Sequence, residues 1–220
     1  MSEFLNIDCM EGMKQFPDKH FDLAIVDPPY GIGEDGLKNH SRGGFANPTY
    51  YTPKTWDRES PKQDYFNELF RVSKNQIIWG ANHFLGKTSP CWIVWDKRNG
   101  NSDFADCELA WTSFKTAVRK FEFRWAGMLQ ENMKNKEFRI HPTQKPVALY
   151  KWLLKNYAKE GDLILDTHVG SASSLIACED MGFEYVGYEL DKDYYDAAQK
   201  RLKEFRSQLK FNYSELADAK

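Results

Sequence analysis

Asp162-Leu163-Ile164-Leu165-Asp166 is a short apolar strand, and the residues after it decide the fold. Gly170-Ser171-Ala172-Ser173-Ser174 opens a helix predicted over 173–181; Glu184-Tyr185-Val186-Gly187-Tyr188 predicts a second strand, ending at Glu189, and 192–208 predicts another helix. This β-α-β-α alternation, with Gly161 and Gly182 at helix ends, predicts a Rossmann-like, doubly wound α/β fold with a mostly parallel sheet. The small residues from Gly170 let the backbone approach a ligand, and the helix amino terminus offers free N–H groups to a carboxylate. Glu189 follows the glycine turn by about 20 residues, a spacing that suits the hydroxyls of a bound ribose. A solvated acidic residue fits the same position.

The same grammar appears upstream. Leu23-Ala24-Ile25-Val26 is the unbroken apolar run of a buried parallel strand, predicted over Asp22–Val26, and it leads into Asp27-Pro28-Pro29-Tyr30. Two consecutive prolines forbid helix and further ladder pairing, so the chain leaves the sheet extended at the strand's carboxyl end, where open α/β sheets bind ligands. A carboxylate at Asp27 and the Pro28 carbonyl can each accept one hydrogen of a flat exocyclic amine, freeing the nitrogen lone pair. Tyr30 can stack on a base, a contact worth ~1–3 kcal/mol. A strand, a proline turn and a surface tyrosine are the plainer reading of these residues. Elsewhere the pattern predicts helices near Glu11–Phe16 and Gln63–Val72, strands near Gln76–Trp79, Cys91–Trp95 and Glu108–Thr112, and a helix over 146–157 with Pro146 as its first residue. Gly31–Pro61, rich in Gly, Pro, Asn and aromatics, is an irregular segment of a length that compact domains keep for function.

Asp27 to Tyr30 resemble the catalytic motif of the amino-group DNA methyltransferases that use S-adenosylmethionine. The later segments are similar to the permuted, beta-type subgroup, in which the catalytic half precedes the cofactor half. The resemblance covers most of residues 4–32 and 76–208. It implies a single class I methyltransferase domain over 1–220, with a catalytic half over about 1–112, a basic loop region over about 113–140, a cofactor half over about 141–208 and a tail over 209–220. Asp166 to Ser173 align with the family's cofactor loop, Asp-Pro-Phe-x-Gly-Ser-Gly-Thr. Asp166, Gly170 and Ser171 match, whereas Thr167, His168, Ala172 and Ser173 depart, His168 standing where Phe is usual. His141-Pro142-Thr143-Gln144-Lys145-Pro146 resembles the segment that helps hold the methionine end of the cofactor. Asn6-Ile7-Asp8-Cys9 is similar to the strand end beside the cofactor's adenine, although Asp8 also suits a helix cap. The resemblance thus implies catalytic roles for Asp27, Pro28, Pro29 and Tyr30. It implies cofactor binding by Asp8, Cys9, Asp27, His141, Thr143, Gln144, Lys145, Asp166, His168, Gly170, Ser171, Ala172, Glu189 and Leu190.

The net charge of −2 conceals segregation: residues 1–37 carry −6 and 156–220 carry −5, whereas 38–62 carry +3 and 115–155 carry +7. Such clustering supplies phosphate contacts despite a neutral total, and Lys38, Arg42, Lys54, Arg119, Lys120, Lys134, Lys136 and Arg139 are the expected nucleic-acid contacts. Cys9, Cys91, Cys107 and Cys178 are scattered without metal-ligand spacing, which predicts buried thiols, no disulfide framework and no metal. No apolar run approaches the ~20 residues of a membrane span, and no signal peptide opens the chain, so a cytoplasmic protein of a bacterium or phage is expected. Trp56, Trp79, Trp95, Trp111 and Trp125 are expected mostly in the core, with aromatics of 45–56 as candidates to stack on a base.

The function these readings imply is methylation of adenine N6 in DNA by base flipping and direct in-line transfer. The Asp form of the catalytic motif is the one more typical of adenine enzymes in the family. Cytosine N4 methylation, an RNA adenine substrate and a catalytically silent nucleic-acid-binding subunit stay open. So do a homodimer and a restriction-modification context.

Overall fold

The computed structural model describes residues 2–33, 54, 57–100, 105–126 and 129–218, with side chains through residue 208. Lys38, Arg42, Trp56 and the 45–56 aromatics lie outside the described residues.

Among the described residues are ten strands: β1 (Glu3–Leu5), β2 (Phe21–Val26), β3 (Ser73–Trp79), β4 (Trp92–Asp96), β5 (Cys107–Thr112), β6 (Arg119–Glu122), β7 (Trp125–Ala126), β8 (Leu129–Gln130), β9 (Leu163–Asp166) and β10 (Glu184–Tyr188). Eight of them form one sheet in the order β1-β10-β9-β2-β3-β5-β4-β6, and β7-β8 form a separate hairpin. Among the eight, β5 alone runs against the others. The sheet is therefore mostly parallel, as the apolar runs imply.

Five helices complete the described residues: α1 (Cys9–Met13), α2 (Gln63–Val72), α3 (Val147–Tyr157), α4 (Ser173–Met181) and α5 (Lys192–Asp218). Alternation along β2 explains the layering. Leu23 and Ile25 pack with Leu149, Leu153, Leu175 and Leu202 from α3, α4 and α5 on one face. Ala24 and Val26 pack with Met13, Tyr65, Phe66 and Leu69 from α1 and α2 on the other. Each such fully buried aliphatic side chain contributes roughly 1.5–3 kcal/mol of apolar transfer. Trp79, Trp95, Trp111 and Trp125 are all buried in this core.

β2 pairs with β3 on one side and with β9 on the other. From β2 the chain winds through α2 to β3, whereas from β9 it winds through α4 to β10 in the opposite direction. The carboxyl ends of β2 and β9 thus flank the switch point at which doubly wound sheets open a crevice.

Several local expectations are corrected. α1 begins two residues earlier than Glu11, because the Asp8 carboxylate accepts from Met10 N at 2.7 Å and caps it. It ends at Met13, and Lys14 to Phe16 continue only as turns. Pro146 is the cap of α3 rather than its first residue, since its ψ of 147° is extended. Gly182 closes α4 in the left-handed region, but α3 ends at the extended Ala158, so Gly161 (φ +84°) belongs to the following turn. Cys91 and Cys178 are buried and Cys9 half-buried, whereas Cys107, at the outer start of β5, is exposed. β1 stands just ahead of the 6–9 segment that resembles a strand end, β6 and the β7-β8 hairpin have no counterpart in the sequence, and α5 runs past 208 to Asp218. No helix among the described residues is long and apolar enough to cross a membrane.

Candidate active site

A cleft of about 440 Å³ opens at the switch point. Each neighbouring strand delivers its next residues to it: Asp8 after β1, Asp27 after β2, Thr167 to Ser171 after β9 and Glu189 after β10. Twelve of the expected cofactor residues border it, namely Asp8, Cys9, Asp27, His141, Thr143, Gln144, Lys145, His168, Gly170, Ser171, Glu189 and Leu190. Pro29 also borders it.

Asp166 and Ala172 do not border it, each for a visible reason. Asp166 is 2% exposed and faces its own loop and helix: it accepts from His168 N at 3.0 Å and from the Ser174 hydroxyl at 2.5 Å. Ala172 turns the chain into α4 at φ +62°, with its methyl buried in the core. Burial pushes the Asp166 carboxyl up to about 7 from an ordinary 3.8. The folded state therefore favours the protonated form, and the stability this confers is complete below about pH 4 and lost as pH rises through about 7, on the order of 4 kcal/mol. Asp166→Asn, neutral throughout, is expected to flatten that fall in urea melts from about pH 4 to 8. An unchanged slope would show that another group carries it.

The departures of the 166–173 loop acquire physical roles. Thr167 Oγ1 lies 2.7 Å from Tyr65 Oη and 2.9 Å from His168 Nδ1, so it ties the loop to α2. The His168 ring meets Tyr65 edge-on at 5.4 Å. Desolvation holds its pKa down at about 4, so near neutral pH the ring presents an uncharged aromatic wall. Gly187 on β10 admits the loop, because a Cβ there would stand 2.8 Å from Val169 Cγ2. Ser173 Oγ accepts from Arg201, which also donates to the Ser171 carbonyl at 2.7 Å and anchors the loop to α5.

Opposite stands the His141–Pro146 segment. Gln144 is 4% exposed, and its side chain accepts from Ile140 N at 2.9 Å and donates to the Phe138 carbonyl at 3.2 Å. Its amide holds the turn itself. His141 packs on Tyr194 at 4.3 Å, and its pKa falls to about 3 through desolvation, with the Lys145 charge adding to the fall. Lys54, expected on nucleic acid, instead lines the cleft with its ammonium 2.9 Å from Asp191 and 2.6 Å from Asp193.

At the floor, Asp27 Oδ1 accepts from Tyr30 Oη at 2.7 Å, while Lys145 Nζ donates to Oδ2 at 2.5 Å. The turn is braced by Asp57, whose Oδ1 accepts from Tyr30 N at 2.7 Å and Gly31 N at 2.8 Å. Desolvation raises the Asp27 carboxyl despite the opposing Lys145 charge, and Glu108 adds to the rise. The Tyr30 ring stacks on His83 at 5.2 Å. Lys145, expected to offer its charge to the cofactor, directs it at Asp27 and Glu108. Glu108, Tyr65, Asp57 and Tyr194 were not singled out from sequence; none belongs to a local motif that marks it.

The basic stretch is partly self-compensated. Lys120, on edge strand β6, pairs with Glu122 at 2.5 Å and Asp96 at 3.5 Å. Arg119, Lys134 and Lys136 are exposed, and the Arg139 guanidinium lies 4.6 Å from the Trp125 ring centre.

S-adenosylmethionine fits this donor set. Glu189 Oε2 accepts from Gly170 N and Oε1 from Asp191 N, both at 2.8 Å, which fixes the carboxylate and leaves lone pairs for a ribose diol. Leu190 beside it is 68% exposed, an apolar surface for a base, and the neutral His168 ring places no positive charge against a sulfonium.

Comparison with known proteins agrees. The family model described as DNA methylase, of the N6/N4 type, matches residues 78–200, more than half of the chain. The Type II methyltransferase M.HinfI of Haemophilus influenzae is 25% identical over 258 aligned residues, covering 94% of this chain and 70% of that protein. M.HpaI of Haemophilus parainfluenzae, also a Type II methyltransferase, is 25% identical, covering 89% and 72%. Among solved structures, M1.HpyAVI in complex with SAM superposes with a TM-score of 0.57 at 21% identity, over 91% of this chain and 100% of that one. The cytosine-N4-specific PvuII DNA methyltransferase gives 0.56 at 11% identity, over 94% and 92%.

Proposed function

The chain belongs to the N6/N4 DNA methylase family, and from that premise we propose that it methylates the exocyclic N6 amine of adenine in DNA, on a base flipped out of the duplex. One observation carries the reading. The Asp27 carboxylate borders the cleft at the switch point, beside Tyr30 and the donor-free prolines 28 and 29. S-adenosylmethionine, when bound, supplies an electrophilic methyl group. Asp27 accepts one amine hydrogen and the Pro28 carbonyl the other, which localises the nitrogen lone pair for in-line attack. Once the nitrogen is methylated, its N–H bond breaks towards an Asp27 oxygen, forming a carboxylic acid; the raised affinity of this carboxyl for protons supports that step. Tyr30 gives the flipped base a stacking surface. On the cofactor side, Glu189 takes the ribose hydroxyls, Asp8 and Leu190 flank the adenine, and His141, Thr143, His168 and Gly170 enclose the methionine end. Arg119, Lys134, Lys136 and Arg139 contact DNA phosphates.

Nucleoside mass spectrometry of unmethylated DNA incubated with the protein and methyl-labelled S-adenosylmethionine tests this. N6-methyladenine is expected. Labelled N4-methylcytosine would keep the chemistry and change the base, label confined to RNA would change the polymer, and no label would overturn the reading. Glu189→Ala is expected to weaken S-adenosylmethionine binding roughly 10- to 100-fold by calorimetry, the loss of charge-assisted hydrogen bonds of about 1.5–3 kcal/mol. An unchanged affinity would remove the ribose assignment.

A further inference from the structure

Behind Asp27 stand charges that the transfer step itself does not use. Lys145 Nζ lies 2.5 Å from Asp27 Oδ2 and 3.0 Å from Glu108 Oε2, and Glu108 Oε1 lies 2.5 Å from Lys97 Nζ. Signs alternate along this row, from the cleft floor at Asp27 to Lys97 just beyond β4. The side chain of Lys145 is only 3% exposed; those of Asp27, Lys97 and Glu108 are 16%, 16% and 23% exposed. Its ammonium also sits 5.5 Å from the ring centres of both Tyr30 and Trp79 and 3.2 Å from Tyr30 Oη. Four groups from three separate parts of the chain therefore fix one cation, and that cation fixes one oxygen of Asp27.

Glu108 reaches this place through topology. It lies on β5, directly opposite Trp95 of β4, and β5 is separated from β2 in the sheet by β3 alone. With Asp27 as its sole carboxylate, a buried ammonium would form a closed pair and draw Asp27 away from the cleft. A second carboxylate shares the ammonium and leaves Asp27 with free lone pairs. We propose that Glu108 is a positioning residue for methyl transfer: backed by Lys97, it holds the Lys145 ammonium, and through it the Asp27 carboxylate, in the orientation that receives the target amine. This rests on the reading of Asp27 as the amine acceptor.

The groups facing Asp27 are Tyr30 from its own turn, Lys145 ahead of α3, Glu108 from β5, Tyr65 from α2, Tyr150 from α3 and Asp166 from β9. Desolvation pushes the Glu108 carboxyl up, but Lys145 and Lys97 outweigh it and hold it at about 2, so Glu108 stays ionised throughout an assay. Its charge disfavours the ionised form of Asp27, whereas that of Lys145 favours it.

The test is kcat, KM and S-adenosylmethionine affinity from about pH 5 to 9 for wild type, Glu108→Gln, Lys97→Met and Lys145→Met. Glu108→Gln is expected to lower kcat roughly 10- to 100-fold with cofactor affinity unchanged, the scale of a misplaced catalytic group. It is also expected to move the acid limb of kcat to lower pH, and Lys145→Met to move it to higher pH. Lys97→Met, which removes only the outer link, covers the case in which Glu108→Gln does not fold, and is expected to lower kcat in the same direction but less. Wild-type kcat in both folded variants would overturn the proposal, as would parallel losses of kcat and cofactor affinity with the acid limb unmoved. A wild type that transfers no methyl would instead overturn the functional reading, and this proposal with it.

Discussion

Asp27→Asn is expected to lower methyl transfer roughly 10³-fold while leaving S-adenosylmethionine affinity within a few-fold of wild type. Asparagine keeps the shape of the side chain but replaces one acceptor oxygen with an amide that only donates. Lys145 would then meet a donor in place of Oδ2, or the amide would turn and face the target amine with the same conflict. Either arrangement removes an acceptor that the reaction needs and supplies none for the departing proton. The fold is expected to survive, because the Lys145 ammonium keeps Glu108 at 3.0 Å as a partner. Cofactor affinity is expected to persist because Glu189, Asp8 and His168 project from other strand ends. Single-turnover transfer and calorimetry on one preparation separate the two effects. Turnover within tenfold of wild type, or an equal loss of cofactor binding, would remove Asp27 from the amine.

The legible and illegible parts of this chain differ by the range of the interactions that create them. β2, β9, β10, α2 and α4 lie within a residue or two of expectation, because unbroken apolar runs and the glycine at 182 are local signals. β6 was missed because it is an edge strand of Arg119, Lys120, Phe121 and Glu122, whose charges guard the sheet margin and erase the apolar alternation. β1 carries no pattern of its own, because of its three residues Phe4 alone is buried, and only the resemblance of the 6–9 segment to a strand end implies it. In the cleft, motif residues were readable while their supports were not. Asp27 and Lys145 are 118 positions apart, and their union appears only when β2 and the 141–146 segment meet. Thr167 looked like a defect in the cofactor loop because its partner, Tyr65, lies 102 positions away. Asp166 is legible as a conspicuous residue, but its strand position does not reveal that its carboxylate accepts from Ser174 of α4.

Gly80→Ala is expected to disable the enzyme from a position with no polar side chain at all. Gly80 follows β3 at φ +67°, and its N–H donates to the Leu109 carbonyl at 2.9 Å, which holds the turn in that conformation. A Cβ there would stand 2.0 Å from Tyr30 Cε1 and 2.3 Å from Cδ1 and Cζ, well inside contact. The ring has no free direction of retreat. Its hydroxyl is bonded to Asp27, its backbone N–H to Asp57, and its face stacks on His83. The methyl must therefore expel the ring, which severs the Tyr30–Asp27 bond and removes the surface proposed for the flipped base. Left-handed strain and the steric conflict together are expected to destabilise the protein by about 2–4 kcal/mol, with kcat down on the order of 100-fold. A double-mutant cycle isolates the contact: with Tyr30→Ala already in place, adding Gly80→Ala is expected to cost only the strain of about 1–2 kcal/mol. Additive losses in urea melts would show that the ring and the glycine do not share the space, and Tyr30 would then be held in place by Asp27 and His83 alone.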